Sequence, residues 1–181
     1  GIYIDPKTRH TLITNTSVTS AGSYAIDVQG PNTLINFSKV SVSNTATVYG
    51  ISLTSSNNTI DHSFINGTDT TYGVGVYGTG NNITANWIGT GQEGGAGTSY
   101  ALELGNHNNT ARSNNISTRS DLIAAHGIYV NDGDYNIIDN NTFQNVSGHA
   151  LFFDGDNPDY NNISNNTYVE VRGTQLQIDT G

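Results

Sequence analysis

The sequence predicts an all-β solenoid of parallel strands, and three observations support this fold class. A phrase of the form small, apolar, any, apolar begins near residues 1, 25, 50, 73, 101, 127, 150 and 175. Gly, Asn, Asp and Ser separate short β-prone runs, as they do at tight corners. Apolar residues follow no helical period. Strands this short bury an apolar face only when each rung pairs with the next.

The first strand of each rung is predicted from its two apolar positions, which alternate with outward ones. The first apolar position forms an interior column of Ile2, Ile26, Ile51, Val74, Leu102, Ile128, Leu151 and Leu176. The second forms a column of Ile4, Val28, Leu53, Val76, Leu104, Val130, Phe153 and Ile178. We expect the Gly or Ala that opens each phrase, and the residue between the two apolar positions, to face outward. Tyr129 and Phe152 are expected to stack on this face and to make it flat and partly aromatic, so that a sugar could rest on it. In the alternative interpretation, Phe152 packs against a loop or a partner subunit.

The next strands of each rung follow phrases such as NNTIDHSFI and YNIIDNNTF. Their alignment places one polar column at a corner: Thr16, Ser38, Ser63, Asn86, Asn114, Asn141 and Asn166. Stacked amides can bond to one another and to the backbone of a tight turn, which makes an inward polar row tolerable. We interpret this column as structural.

Composition excludes several classes of function. The net charge is −9 with six Lys and Arg, which argues against a nucleic-acid partner and against a long polyanionic sugar unless metal ions supply positive charge. The absence of cysteine excludes a disulfide framework, a zinc knuckle and a thiol nucleophile. Apolar runs are far shorter than the roughly 20 residues of a membrane span, so no membrane-spanning segment is expected.

The phrases NNTIDHSFI, NNITANWI, YNIIDNNTF and YNNISNNTY resemble the repeats of right-handed parallel β-helices, similar to pectate lyases and to NosD-like surface proteins. The resemblance covers essentially the whole chain and implies one domain, residues 1–181, folded as a single-stranded right-handed parallel β-helix of about seven rungs. It also implies a carbohydrate groove along the outer face of the first sheet. The fold hosts lyases, hydrolases, epimerases, adhesins and viral spikes, so it does not select one function.

Acidic turns are the strongest candidates for chemistry. Asp132 and Asp134 lie in one rung and Asp154, Asp156 and Asp159 in the next, with rungs about 4.8 Å apart. Three interpretations stay open. These residues could simply form turns, four of them (Asp132, Asp134, Asp154 and Asp156) could bind calcium as the only cofactor, or the same four could act as paired acid and base on a glycosidic bond.

An enzyme would use those four aspartates, with Arg119 as a further catalytic candidate. The strings GHG and RIK of polygalacturonase-like hydrolases and the epimerase-like DPHD are absent, and no basic residue lies on the first strand to take a proton from a uronate. Catalysis therefore ranks below a structural role. His126 and His149 continue a column of tyrosines, Tyr24, Tyr49, Tyr72 and Tyr100, and are expected to be structural.

Sequons predict glycosylation and an extracellular or cell-surface location. Their asparagines are Asn15, Asn36, Asn57, Asn66, Asn82, Asn108, Asn115, Asn140, Asn145, Asn162 and Asn165. The sequence begins and ends in strand-like phrases, so we expect either a piece of a longer protein or end-to-end assembly into a fibre. The favoured function is an extracellular structural protein that presents a carbohydrate- or partner-binding face, and the alternative is a polysaccharide lyase, hydrolase or epimerase.

Overall fold

The protein is a parallel β-solenoid, as seen in a computed structural model that describes residues 1–43, 48–68, 72–92, 98–120, 125–154 and 160–179. Within these ranges, three sheets run the length of the solenoid, one of eight strands and two of seven. Strands pair in parallel with the equivalent strand of the next rung. The predicted fold class is confirmed. None of the described segments is an apolar helix of membrane-spanning length.

Each complete rung contributes one strand to each sheet, and β22 (Leu176–Ile178) adds an eighth strand to the first sheet. Sheet 1 consists of β1 (Ile2–Ile4), β4 (Tyr24–Val28), β7 (Tyr49–Leu53), β10 (Tyr72–Val76), β13 (Ser99–Leu104), β16 (Ala125–Asn131), β19 (Leu151–Asp154) and β22 (Leu176–Ile178). Sheet 2 consists of β2 (Leu12–Thr14), β5 (Leu34–Asn36), β8 (Thr59–Asp61), β11 (Asn82–Thr84), β14 (Thr110–Arg112), β17 (Ile137–Asp139) and β20 (Asn162–Ser164). Sheet 3 consists of β3 (Ser17–Ser20), β6 (Lys39–Ser43), β9 (Phe64–Thr68), β12 (Trp87–Gln92), β15 (Asn115–Ser120), β18 (Thr142–Val146) and β21 (Thr167–Val171).

The core is a stack of aliphatic columns, one or two from each sheet. In sheet 1 the predicted register is the observed one, since Ile26 pairs with Ile51 and Ile51 with Val74. Side chains such as Ile26, Ile60 and Ile88 come from all three sheets and are fully buried in one hydrophobic cluster. Burial of these columns along the whole axis is the main stabilising term of a solenoid.

The small residues at the start of the sheet 1 strands face inward, so the predicted outward row of Gly and Ala is wrong. Ala25 and Ala101 are fully buried. A Cβ on Gly127 would lie 2.7 Å from the Phe143 ring of sheet 3. These positions meet side chains of sheet 3 across a narrow interior, and only Gly or Ala fits.

Two corners of every rung are built alike, with a residue of positive φ followed by an inward polar side chain. Corner 1, between sheets 1 and 2, has its positive φ at His10, Asn32, Asn57, Gly80, Asn108, Tyr135 and Tyr160. Corner 2, between sheets 2 and 3, has it at Asn15, Phe37, His62, Ala85, Ser113, Asn140 and Asn165. Asn tolerates this left-handed conformation better than most residues, which explains its frequency here.

The predicted asparagine ladder at corner 2 is confirmed, and a second one runs along corner 1. At corner 2, Asn114 accepts at Oδ1 from the backbone N–H of Asn86 (3.0 Å) and donates from Nδ2 to the Ile83 carbonyl (2.8 Å). At corner 1, Asn109 accepts at Oδ1 from the N–H of Asn81 (2.9 Å). Each ladder satisfies buried turn backbone that water cannot reach.

Candidate functional site on the outer face of sheet 1

A ladder of aromatic rings runs along the outer face of sheet 1 where its strands begin. Neighbouring rings are stacked, with centroids 4.6 to 5.6 Å apart. This spacing follows from the in-register pairing of parallel strands. The prediction that His126 and His149 continue the tyrosine column is confirmed. The ladder comprises Tyr24, Tyr49, Tyr72, Tyr100, His126 and His149.

Both histidines of the ladder are held by backbone groups of the next rung. Nδ1 of His126 accepts from the N–H of His149 at 2.9 Å, and Nδ1 of His149 accepts from the N–H of Thr174 at 3.1 Å. An accepting nitrogen carries no proton, so the neutral rings are protonated at Nε2. Burial, with a smaller contribution from His149, lowers the pKa of His126 to about 4. His126 is therefore neutral at neutral pH and serves the ladder as an uncharged ring.

Glu103 is the most unusual group on this face, because its carboxyl is buried against tyrosines. Glu103 is only 4% exposed, and its Oε2 lies 2.5 Å from the hydroxyl of Tyr77, which is in turn 3.0 Å from the hydroxyl of Tyr49. A single hydroxyl has one proton to give, so Tyr77 donates to Glu103 and accepts from Tyr49. Gly75 makes the space, since a Cβ there would lie 2.8 Å from the Tyr49 ring and 2.9 Å from that of Tyr77.

The environment of Glu103 favours its neutral form. Burial raises the pKa of Glu103, against the opposing effect of hydrogen bonds with Tyr77 and Asn131. Burial and the hydrogen bond to Glu103 also raise the pKa of Tyr77. A carboxyl with a raised pKa keeps its proton to a higher pH than an exposed carboxyl does, and in that form it can donate a hydrogen bond to a bound ligand.

A second carboxylate and tyrosine pair lies on the later rungs of the same face. The Tyr129 hydroxyl donates to Oδ2 of Asp154 at 3.2 Å, and burial followed by this carboxylate raises the pKa of Tyr129. The Tyr129 ring stacks with Tyr100 at 4.3 Å and with Phe152 at 5.5 Å. Asn131 pairs in register with Asp154 and hydrogen-bonds Glu103, so an amide lies close to both acidic residues. The face combines stacked rings with acidic and amide groups.

The predicted site residues are divided between this face and corner 1. Asp154, Tyr129 and Phe152 lie on the face, where Phe152 is half-buried. Asp132 has a φ of 54° in the corner and donates its N–H to the Asp154 carbonyl at 3.4 Å. The carboxylate of Asp134 lies 3.5 Å from Nδ1 of His107, also in that corner.

Two further predicted residues lie away from the face. Arg119 is exposed on β15 in sheet 3. Asp156, like Asp159, falls outside the described residues. Among the residues that are described, no three His, Asp or Glu side chains are grouped so as to hold a metal ion. The four-aspartate calcium site includes Asp156 and stays a prediction.

Sequence reasoning missed Tyr77, Asn131 and the role of Glu103. Glu103 was placed in the outward column, but its burial depends on Tyr77 from the preceding rung. The residue that follows the second apolar position of each sheet 1 strand carries the sequence signal for this site. Alignment of the rungs at that position gives Tyr77, Asn131 and Asp154. Gly75, beside Glu103 in register, marks the gap that the rings fill.

The sequon asparagines lie at the surface to different degrees. Three are half-buried: Asn36, Asn66 and Asn115. The others are exposed: Asn15, Asn57, Asn82, Asn108, Asn140, Asn145, Asn162 and Asn165. Their modification stays a prediction, with geometry that leaves most of them open to an enzyme.

Comparison with known proteins supports the fold. Residues 1–181 match a family model described as right handed beta helix region. No curated protein and no solved structure matches the chain. The match concerns architecture, and the chemistry has to be argued from the side chains of this chain.

Proposed function

The chain belongs to the right handed beta helix region family, and on this premise we propose that it is an extracellular, glycosylated structural protein whose sheet 1 outer face binds carbohydrate. The observation that carries the proposal is the band of stacked rings bordered by Glu103, Asn131 and Asp154. Pyranose rings present apolar C–H faces that pack on aromatic rings, while their hydroxyls need fixed polar partners. Both kinds of partner occur here on one face.

The charge of the face favours a neutral glycan over an acidic one. Its outward columns contain carboxylates and no Lys or Arg, and the whole chain has a net charge of −9. A polyuronate would be repelled by this field unless cations intervened. A neutral polysaccharide would bring hydroxyl donors for Asp154 and Glu103 at no electrostatic cost.

A panel of neutral and acidic polysaccharides, measured by affinity electrophoresis, tests the proposal. We expect retardation by at least one neutral polysaccharide and a loss of about tenfold in affinity for Phe152→Ala, since one stacking ring is removed. The matched control is Phe64→Ala, which removes a half-exposed ring from sheet 3 and should leave retardation unchanged. Equal losses in the two variants, or no retardation by any neutral glycan, would contradict a binding face on sheet 1.

A second candidate function is glycoside hydrolysis, favoured by the buried Glu103. Its raised pKa suits a general acid that protonates the leaving oxygen, and Asp154 on the same face could activate water. In that case Glu103→Gln and Asp154→Asn should each lower the release of reducing ends by at least about a hundredfold. If the wild type binds a glycan and releases no reducing ends from it, the face binds without catalysis.

A further inference from the structure

Two exposed aromatic pairs occupy corner positions that suit them poorly. Tyr135 and Tyr160 lie at corner 1 with φ of 55° and 59°, and they are 55% and 75% exposed. Phe37 and His62 lie at corner 2 with φ of 47° and 46°, and Phe37 is 57% exposed. A left-handed backbone is unfavourable for a bulky residue, and rings this exposed recover little by burial. Such outliers suggest a functional reason for the rings.

The rings of each pair stack along the solenoid axis. The centroids of Tyr135 and Tyr160 are 5.1 Å apart with planes 5° from parallel, and those of Phe37 and His62 are 5.2 Å apart at 29°. These separations are close to the spacing of about 4.8 Å between rungs. The first ring of each pair therefore has its second face on the side of the preceding rung.

The preceding rung carries a sequon asparagine at the same corner in both cases. Asn108 precedes Tyr135 in the sequon Asn108-Asn109-Thr110, and Asn15 precedes Phe37 in the sequon that ends at Ser17. Both asparagines have positive φ, 58° and 50°, and both are exposed. Asn108 is placed one rung below Tyr135 by the hydrogen bond from its N–H to the carbonyl of Asp134, at 3.0 Å.

We infer that Asn108 and Asn15 carry N-linked glycans whose first sugar stacks on Tyr135 and Phe37, so that each aromatic pair gains one further layer. The asparagine Nδ2 forms a bond to the anomeric carbon of an activated sugar diphosphate, the diphosphate leaves, and the amide gives up one proton. The apolar C–H face of that sugar then covers the open ring face. The inference rests on the glycoprotein part of the proposed function and is independent of glycan binding at sheet 1.

Asn57 supplies a matched control within the same corner. It has a φ of 59°, is exposed, and begins the sequon Asn57-Asn58-Thr59. Its neighbours along corner 1 are Asn32 and Gly80, neither of which has a ring. A glycan on Asn57 would have the same attachment geometry as one on Asn108 and no aromatic partner. Thr59 and Thr110 occupy equivalent positions of sheet 2. Replacement of either threonine by alanine therefore removes one sequon at the same structural position.

The test compares the full chain secreted by a glycosylating host with the chain made in a bacterium that attaches no sugar. The melting temperature is measured for the glycosylated and the unglycosylated form of the wild type, Thr110→Ala and Thr59→Ala. For each protein, the difference in melting temperature between its two forms is the glycan contribution to stability. We expect Thr110→Ala to lower that contribution by about 2 to 4 °C and Thr59→Ala to leave it nearly unchanged. Tyr135→Ala should abolish the contribution of Asn108. Asn108→Asp, which keeps a residue that tolerates the corner, serves as a second variant.

The possible failures are distinguishable. Peptide mass spectrometry of the secreted chain shows which sequons are occupied. Absence of a sugar from Asn108 would overturn the inference, and absence of sugars from all eleven sequons would also overturn the glycoprotein part of the proposed function. Sugars present on both, with equal thermal contributions or with a contribution at Asn108 that survives Tyr135→Ala, would overturn the stacking alone.

Discussion

Two carboxyl groups on neighbouring faces of the solenoid have opposite electrostatic fates. Glu103 on sheet 1 is buried against Tyr77, and burial raises its pKa. Asp139 on sheet 2 accepts hydrogen bonds from Ser164 (2.7 Å) and Asn165 (2.9 Å), which lower its pKa. The backbone is the same parallel ladder on both faces. The outward side chains decide whether a face becomes a mainly aromatic surface or a mainly polar one.

The difference arises from which residues lie one rung away. On sheet 2 the column neighbours of Asp139 are Ser164 and Arg112, and the Arg112 Nε donates to it at 3.1 Å. On sheet 1 the neighbours of Glu103 in register are Gly75 and Tyr129, neither of which is a cation. The space over Gly75 is filled by the rings of Tyr49 and Tyr77. Exposed ion pairs contribute little to stability, whereas buried rings contribute dispersion and exclude water. Sheet 1 is thus the face suited to a ligand that also has apolar surface.

The largest expected effect comes from filling the gap on sheet 1. Gly75→Ala places a methyl group within 3 Å of the Tyr49 and Tyr77 rings, so we expect a loss of about 3 kcal/mol in the free energy of unfolding. Asn82→Ala changes an exposed residue of sheet 2 in the same rung and should cost no more than about 0.5 kcal/mol. Urea denaturation measures both. Similar losses would mean that the two faces do not differ in packing.

The ring ladder should make sheet 1 sensitive to acid. His126 has a pKa of about 4 in the folded protein and about 6.5 when unfolded. Between pH 7 and pH 4.5 the unfolded chain binds a proton that the native chain does not, so stability falls. With allowance for partial solvation, we expect His126 to account for about 2 kcal/mol of the loss.

His126→Tyr tests this acid sensitivity because it continues the ladder with the residue of earlier rungs. The variant should lose about 2 kcal/mol less than wild type between the two pH values, as measured by urea denaturation at each. An equal loss in variant and wild type would show that His126 does not set the response.

The smallest effect is a pair of opposite pH dependences. Because burial raises the pKa of Glu103, the contribution of this residue to stability is complete below the pKa of its carboxyl in the unfolded chain. That contribution is lost as the pH rises through the pKa of Glu103 in the folded protein. The pKa of Asp139 is lowered in the folded protein, so this residue stabilises the fold above the pKa of its carboxyl in the unfolded chain. Its contribution to stability is lost as the pH falls through the pKa of the folded protein. Melting curves from pH 3 to pH 8, in steps of about one unit, should show that Glu103→Gln flattens the upper limb and Asp139→Asn the lower one. The same limb flattened by both variants would remove the contrast between the faces.

Most of the fold was predictable because alternation and corner chemistry act locally. The interior columns that contain Ile26 and Val28 were found from a spacing of two, and the corner 2 ladder from aligned polar residues. The column of Gly and Ala residues at the start of the sheet 1 strands was placed on the wrong side, because inward and outward residues do not alternate there. Ala25 and Ile26 are consecutive and both buried. Gly73 has no register partner between the pairs formed by Tyr72 and Val74. A local irregularity of this kind leaves no mark in the pattern.

The candidate site was predictable only in part. Tyr129, Phe152 and Asp154 follow from the register, which the repeat supplies. The contact of Tyr77 with Glu103 joins residues one rung apart and depends on which way each side chain leans. That direction is set by the empty space over a glycine, which becomes visible only when neighbouring rungs are placed together.

The asparagine ladders also give the chain an order of assembly. In each ladder the later rung holds the earlier one: Asn114 accepts from the N–H of Asn86 and donates to the carbonyl of Ile83. A rung that has just left the ribosome therefore has unsatisfied corners until the next rung is made. At synthesis rates of about 5 to 20 residues per second, that delay is a few seconds at most. If the chain folds during translation, we expect the native structure to trail the growing end by one coil, and the most recently made coil to be the one exposed to proteases and to aggregation.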